Sequence, residues 1–336
     1  DIVDYEQIGW AEHTQLTQFL FGGIISGNSL IMQLGKQRSR KTVNIYMGVY
    51  RDFFRTYVKD NRLFSEARLH KPTENYASTE FDKIMNVAGY QSNILIRKYR
   101  NEVPKFIKID EYRKMLNIID GDSKYTLRDN LIIRLMFERG LRIGEVLGIT
   151  IEDILRHPTE DDCGLLALRN RVSDRKHQHA KGSMKVTSVN EYKSREYKTA
   201  GYGYQTVSLP PELFRLLGDY INESRNYFRM TDTAWKNLKK CCKADNVYDD
   251  GRENYYVFIS KNYAPISKTG WNEIIKTLFT KIGLSLDEGV RRENLNHRFR
   301  HGYAMFLVEH MKYEDWEIQE ELRHGSINTV KTYYNQ

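Results

Sequence analysis

The stretch HRFRH at residues 297–301 is followed by LRHGS at residues 322–326 and then by Tyr333. In the first stretch His297 and Arg300 stand three positions apart, so on a helix both side chains lie on one face. Tyr333 comes nine positions after the histidine of the second stretch. The spacing predicts one site in which imidazole, guanidinium and phenol groups meet.

A third motif, GLRIGE at residues 140–145, lies far upstream. It follows residues 129–139, where apolar side chains recur on one face of a predicted helix. Gly140 fits the position just after a helix, where a positive φ is tolerated. Arg142 is therefore expected to begin a new element directly after a tight break.

These side chains suit cleavage of a phosphodiester, which requires a nucleophile, neutralisation of the phosphate oxygens and a proton for the leaving oxygen. Arg142 and Arg300 can each present a guanidinium fork to the non-bridging oxygens. His297 can accept the proton of an attacking phenol, and His324 can donate to a phosphate oxygen. Tyr333 is the candidate nucleophile, with an ordinary pKa of about 10.

In this order the motifs resemble those of the tyrosine recombinases, also called phage-type integrases. The resemblance is specific over residues 103–336 and loose over 35–102. It implies phosphate-binding and acid–base roles for Arg142, His297, Arg300 and His324, and a nucleophilic role for Tyr333. Tyr334 is the competing nucleophile, but the nine-residue spacing favours Tyr333.

The sequence departs from the family pattern around the second histidine. Family members commonly have Leu-Gly-His where this chain has LRH at residues 322–324, so an altered approach to His324 is expected. Members also usually continue past the nucleophile into a tail that docks on a neighbouring subunit. This sequence has three further residues after Tyr333.

The family also uses a lysine that protonates the 5′ oxygen. In family members this lysine lies in a strand-turn-strand that comes after the first arginine motif and before a further strand. Residues 207–210 match that further strand here. Residues 171–174 and the pair Ala180-Lys181 resemble a variant seen in some transposon and phage members. Lys181 is favoured. Because the turn is long, three further lysines stay candidates: Lys185, Lys193 and Lys198.

A predicted helix near the N-terminus begins with a basic cluster. Apolar and aromatic side chains then recur on one helical face, at Val43, Met47, Tyr50, Phe54 and Tyr57. The start of such a helix suits phosphate contact and entry into a major groove, although a solvated charged helix end is equally compatible. A loose resemblance to the core-binding domain of the same family implies DNA-binding roles for Arg38, Arg40, Lys41 and Asn44.

The composition is that of a chain with a polyanionic partner. The formal charge is +8 and the pI is near 9.1, and Lys and Arg that neutralise phosphates release counterions. The three cysteines form neither a disulfide framework nor a zinc-ligand pattern. The pair His177 and His179 lacks a third ligand nearby, so no metal is expected. Without an apolar run of membrane-spanning length or a signal-like N-terminus, a cytoplasmic, nucleoid-associated protein is expected.

The predicted fold is mainly α with a small antiparallel β-sheet. We expect a two-domain DNA clamp: a helical core-binding domain over residues 1–90, a linker over 91–104 and a tyrosine-recombinase catalytic domain over 105–336. Strands are predicted at 165–168, 206–209 and 255–259. Helices are predicted from Ile109, at 212–221, from Ser267 to 282 and at 298–310, whereas 169–205 is expected to be an extended hairpin or flexible loop.

The resemblance implies a site-specific DNA recombinase or integrase, encoded by a mobile element, that forms a 3′-phosphotyrosine intermediate. Such a DNA strand transferase works without metal, ATP or another cofactor. Its implied partners are double-stranded DNA, three further copies in a homotetramer on two DNA sites, and accessory DNA-bending or directionality proteins. Two alternatives stay open: a type IB topoisomerase-like relaxing enzyme, and a catalytically silent DNA-binding protein of the same fold.

Overall fold

A computed structural model describes residues 4–9, 12, 15–16, 19–21, 38, 40–58, 105–122, 126–226, 230–245, 253–286 and 295–331. The chain divides into two compact units, Asp1–Glu102 and Val103–Gln336. The predicted linker at 91–104 lies outside the described residues. Among those residues, no helix is both long and apolar enough to cross a membrane.

In the first unit, a short 3-10 helix at Tyr5–Gln7 precedes helix α1, Arg40–Tyr57. The predicted apolar face is confirmed for its central part, where three side chains are buried: Val43, Met47 and Phe54. Tyr50 is partly buried. Tyr57, the last residue of this face, is 76% exposed at the end of the helix, while the following Val58 is buried.

The second unit is a helical domain around a small sheet. Its helices are α2 Ile109–Gly121, α3 Leu127–Glu138, α4 Ile143–Leu147, α5 Arg195–Lys198, α6 Pro211–Ser224, α7 Asp232–Cys241, α8 Lys268–Lys281, α9 His297–Phe306, α10 Asp315–Glu321 and α11 Ile327–Lys331. Short 3-10 helices occur at Ile151–Asp153 and Val189–Lys193, and α9 runs into a π-helical turn at Leu307–Met311.

Helix α3 lies at the centre of the core. It begins at the capping box of Thr126 and Asp129, in which each side chain satisfies a backbone N–H of the first turn. Its apolar side chains are buried on more than one face, and they pack in the same cluster as Trp271 of α8 and Phe299 of α9. A helix buried on several sides must be held by tertiary packing, because the surrounding helices supply its environment.

A three-stranded antiparallel sheet packs beside these helices in the order β1-β2-β3. The strands are β1 Ile154–Arg156, β2 Gly164–Arg169 and β3 Tyr204–Leu209. The predicted strands at 165–168 and 206–209 are confirmed, whereas the three-residue β1 was not predicted. A second, two-stranded ladder joins β4 Lys243–Ala244 to β5 Asn254–Tyr255, so the predicted strand at 255–259 is much shorter than expected.

The segment expected at 169–205 to be an extended hairpin or a flexible loop connects the antiparallel strands β2 and β3, and buried contacts hold it in place. Arg171 is fully buried and contacts both Asp153, at 2.5 Å, and the Thr150 hydroxyl, at 2.9 Å. The aromatic rings of Tyr192 and Tyr197 are also buried. The sequence of this segment has no apolar period. Its conformation is held by buried polar and aromatic side chains instead.

Other predicted boundaries agree with the structure. Ser267 accepts a hydrogen bond from the Gly270 N–H as the N-cap of α8, and Ile282 is its C-cap. Gly140 follows α3 with φ +58°, as its C′ position requires. The predicted helix at 298–310 is confirmed as far as Phe306, beyond which the chain forms the π-helical turn. The predicted fold class, mainly α with a small antiparallel sheet, is confirmed.

Candidate active site

The break between α3 and α4 places Arg142 at the start of a helix. A Cβ on Gly140 would lie 2.6 Å from the ring of Tyr303, so this position requires both a positive φ and a close approach to α9. Arg142 is the N-cap of α4, and its backbone N–H donates to the Glu145 carboxylate at 2.8 Å. Its guanidinium Nη1 donates to the other Glu145 oxygen at 2.6 Å. Glu145 thus holds Arg142 at two points, the backbone N–H and the guanidinium.

Arg300 is buried on α9 and joins three parts of the site. Its Nη1 donates to the Gly140 carbonyl, directly before the Arg142 turn, and its Nη2 donates to the Leu322 carbonyl. The same Nη2 lies 3.3 Å from Nε2 of His324. Because a guanidinium can only donate, this contact makes Nε2 the acceptor and places the ring proton on Nδ1.

His324 follows α10 in a tight turn. Its backbone N–H donates to the Gln319 carbonyl at 2.9 Å, and the amide of Gln319 donates back to its carbonyl at 3.1 Å. Burial and the positive charges of Arg300 and Arg142 lower the pKa of His324 to about 3. The imidazole is therefore neutral near pH 7, with one donating and one accepting nitrogen.

His297 is the first residue of α9 and is exposed. The residue before it, Asn296, is buried and accepts a hydrogen bond from the indole of Trp271 at 2.7 Å, which fixes the start of the helix. Desolvation and the charges of Arg142 and Arg300 lower the pKa of His297. A neutral His297 can accept a proton at neutral pH.

The site also contains two charged residues to which the sequence motifs had assigned no role. Glu145 is buried, and Arg323 places Nη2 at 3.3 Å from its Oε2. Although burial opposes ionisation, the charges of Arg323, Arg142 and Arg300 hold the pKa of Glu145 below its ordinary value of 4.5. Glu145 belongs to the GLRIGE motif, so its position was visible in the sequence, but its partner is 178 residues away.

Two glycines let the segment 177–179 lie directly on helix α4. A Cβ on Gly144 would come within 3.0 Å of two carbonyl oxygens of that segment, and one on Gly148 would overlap the carbonyl of Gln178. The amide of Gln178 also donates to the Leu147 carbonyl at 2.9 Å. The turn is therefore attached to the helix that begins at Arg142.

Lys181 follows this attached segment and is exposed. The neighbouring Ala180 is held by buried Asn170, which accepts from its N–H at 2.7 Å and donates to its carbonyl at 3.1 Å. Lys181 is also among the charges that lower the pKa of His297, together with Lys268 of α8. Hydrogen bonds thus hold the backbone next to Lys181 in place, and Lys181 lies close enough to His297 to lower the pKa of its imidazole.

Substituting Gly148 with alanine is expected to lower the free energy of unfolding by about 1–3 kcal/mol, because the new Cβ must displace the Gln178 backbone. Chemical denaturation measures the effect. The matched control is Gly218→Ala in α6, where nothing lies within 4 Å of a new Cβ; it should raise stability by up to about 1 kcal/mol. Equal effects at the two positions would contradict the attachment of the turn.

The remaining predicted residues fall in different places. Tyr333 and its competitor Tyr334 lie outside the described residues. In the first unit, the Arg38 guanidinium lies 4.8 Å from the ring centre of Tyr46. Three further predicted DNA contacts are on the first turns of α1: Arg40, Lys41 and Asn44. Across the described ranges no group of three or more potential metal-ligating side chains occurs.

The chain is similar to a protein-family model and to several known sequences. A model of the phage integrase family matches residues 221–336. Transposase A from transposon Tn554 of Staphylococcus aureus is 24% identical over 304 residues, which cover 88% of this chain and 66% of the transposase. Tyrosine recombinase XerD of Halalkalibacterium halodurans is 31% identical over 241 residues, with 72% and 60% covered. The chain thus spans less than two thirds of the length of the curated relatives it matches.

Solved structures are similar in fold. XerH site-specific recombinase bound to difH substrate superposes with a TM-score of 0.53 at 17% identity, covering 98% of this chain and 68% of XerH. The Tn1549 transposon integrase in complex with circular intermediate DNA gives a TM-score of 0.50 at 15% identity, with 98% and 82% covered. These likenesses concern the fold alone.

Proposed function

We propose, because this chain belongs to the phage integrase family of tyrosine recombinases, that it is a site-specific DNA recombinase. The proximity of Arg142, Arg300 and His324 is the observation that carries the proposal. Two guanidinium groups and a neutral imidazole can stabilise the negative charge that builds up on the non-bridging phosphate oxygens in the transition state. The transposases and integrases among the similar proteins favour a mobile element as its source.

In the proposed reaction, the Tyr333 oxygen attacks phosphorus and the bond to the 5′ oxygen breaks. His297 receives the phenol proton, and Lys181 gives a proton to the departing 5′ oxygen. The products are a 3′-phosphotyrosine and a free 5′-hydroxyl. A 5′-hydroxyl of another strand can reverse the step, so no phosphate bond energy is lost and neither ATP nor a metal is required.

The neutral histidines are consistent with these roles. The pKa values of His297 and His324 are lowered by desolvation and by the site arginines. A bound phosphate would bring negative charge among the same groups and raise both pKa values again. His297 would then accept the phenol proton more readily once DNA is bound.

The proposal extends to partners and domains. We infer that residues 1–90 bind DNA through Arg38, Arg40, Lys41 and Asn44, that 91–104 link the domains, and that 105–336 carry catalysis. The two domains would close as a clamp on double-stranded DNA. Four copies on two DNA sites would exchange strands in the cytoplasm, with accessory DNA-bending proteins setting direction.

The direct test is covalent capture of DNA. A duplex selected for binding from a random-sequence pool is nicked at successive positions, so that cleavage releases a short strand and traps the enzyme. A denaturing gel detects the adduct, and peptide mapping identifies the modified tyrosine. An adduct in metal-chelating buffer without ATP is expected. Tight binding without an adduct at any nick would overturn the enzyme proposal and favour a silent DNA-binding protein.

A plasmid assay separates recombination from the topoisomerase alternative. Two copies of the selected site on one supercoiled plasmid should give inversion or excision products. Relaxation of the plasmid at a single site, without joined products from two sites, would instead indicate a type IB topoisomerase-like activity.

Binding to the selected duplex is expected to depend steeply on salt, because the chain carries a net charge of +8. Affinity should fall at least tenfold between about 50 and 200 mM monovalent salt, as counterion release predicts for several phosphate contacts. Fluorescence anisotropy measures it. An affinity that stays flat over this range would contradict a phosphate clamp.

A further inference from the structure

Arg323 occupies a backbone conformation that favours glycine. Its φ is +53°, in the turn between α10 and His324. A side chain in this left-handed region crowds the backbone, whereas glycine adopts it without strain. At Arg323, a side-chain interaction offsets part of this strain.

This interaction is with the carboxylate of Glu145, which also binds Arg142. The Arg323 side chain is 10% exposed, and its Nη2 lies 3.3 Å from Oε2 of Glu145. Its Nη1 donates to the Glu321 carbonyl at 3.2 Å. Oε2 of Glu145 also accepts the backbone N–H of Arg142, while Oε1 accepts from the Arg142 guanidinium. One buried carboxylate thus connects both arginines.

We propose that Arg323 is a positioning residue that acts through Glu145 to orient the Arg142 guanidinium toward the scissile phosphate. This inference rests on the proposed function. If Arg142 were the direct partner of Glu145 without Arg323, the carboxylate would cancel its charge and draw its fork away from a phosphate. With Arg323 present, two guanidinium groups share one carboxylate, which leaves a net charge of +1 on the group and a donor edge of Arg142 for DNA.

The same contact affects the acid side of the pH profile. Charged groups act on Glu145 from three elements: Arg142 at the start of α4, Arg300 on α9 and Arg323 after α10. Each stabilises the carboxylate, so its contribution is present above the ordinary pKa and is lost as pH falls through the lowered one. Removing Arg323 raises the pKa of Glu145, and the protonated carboxyl would release Arg142 at a higher pH.

The test compares Arg323→Gly with Lys312→Gly. Lys312 has φ +58° and is exposed in the turn after the π-helical segment, so this control removes the same backbone crowding and one positive charge elsewhere. Single-turnover cleavage of the nicked, pool-selected duplex and its Kd are measured from about pH 4.5 to 8 in the full chain. Arg323→Lys tests rescue by a point charge.

We expect Arg323→Gly to lower the cleavage rate at least tenfold and to leave Kd within about threefold of that of the unchanged protein. The acid limb of its pH–rate profile, where cleavage falls as the pH decreases, should shift to a higher pH. Arg323→Lys should restore the acid limb but only part of the rate, and Lys312→Gly should cleave normally. Unchanged cleavage and pH profile in Arg323→Gly, or an equal decrease in both Arg323 variants with no shift of the limb, would overturn the inference. No adduct from the unchanged protein would instead overturn the proposed function.

Discussion

Tyr333→Phe is expected to abolish the covalent DNA adduct, with cleavage reduced by at least about 10⁴-fold, because phenylalanine has no oxygen to attack phosphorus. Binding to the selected duplex should be unchanged within about twofold, since one hydroxyl is a small part of a DNA interface. The measurement is adduct formation on the nicked duplex, with Kd determined on the same DNA.

Tyr334→Phe is the matched control, because it removes the same hydroxyl from the adjacent residue. It should form the adduct at a rate close to that of the unchanged protein, and peptide mapping should place the DNA on Tyr333. An adduct that survives in Tyr333→Phe and disappears in Tyr334→Phe would transfer the nucleophilic role to the neighbouring tyrosine.

Arg300→Lys is expected to lower the cleavage rate by about 10²- to 10³-fold, the usual effect of removing a positioned donor from a transition state. The guanidinium donates to the carbonyls of Gly140 and Leu322 and contacts His324. A lysine ammonium cannot span these points with a planar fork. Single-turnover cleavage measures the loss, and urea denaturation should show a decrease in unfolding free energy of about 1–3 kcal/mol.

Arg298→Lys separates catalysis from stability on the same helix. Arg298 is also buried, but it donates to the Ser285 carbonyl at 2.8 Å and lies over the Phe279 ring, away from the pocket. This variant should lose stability while its cleavage rate stays within about threefold. Similar cleavage losses in the two variants would mean that Arg300 acts through folding rather than at the phosphate.

The parts of the fold with local signals could be predicted from the sequence. Gly140 predicted the end of α3 because it adopts the positive φ of the position after a helix. Ser267 predicted the start of α8 because its side chain caps a backbone N–H of the first turn. The shared face of His297 and Arg300 followed from helical spacing. The proximity of Arg142, Arg300 and His324 was expected from the motifs together, and in the structure these three side chains lie close to one another.

What the sequence could not supply depends on distant contacts. The pairing of Glu145 with Arg323 joins residues 178 positions apart, and nothing local to either predicts it. The burial of Arg171 against Asp153 gives 169–205 its structure without an apolar pattern. Tyr57 fits the helical period of α1 but is exposed at the helix end, where a periodic pattern no longer specifies burial.

The contact of segment 177–179 with α4 joins two groups of the proposed mechanism to each other. The turn that carries Lys181 is attached to the helix that begins at Arg142 through Gly144, Gly148 and Gln178. Lys181, the proposed proton donor, and Arg142, the proposed phosphate-binding arginine, would therefore move together. Any motion that displaced one of these groups would displace the other with it.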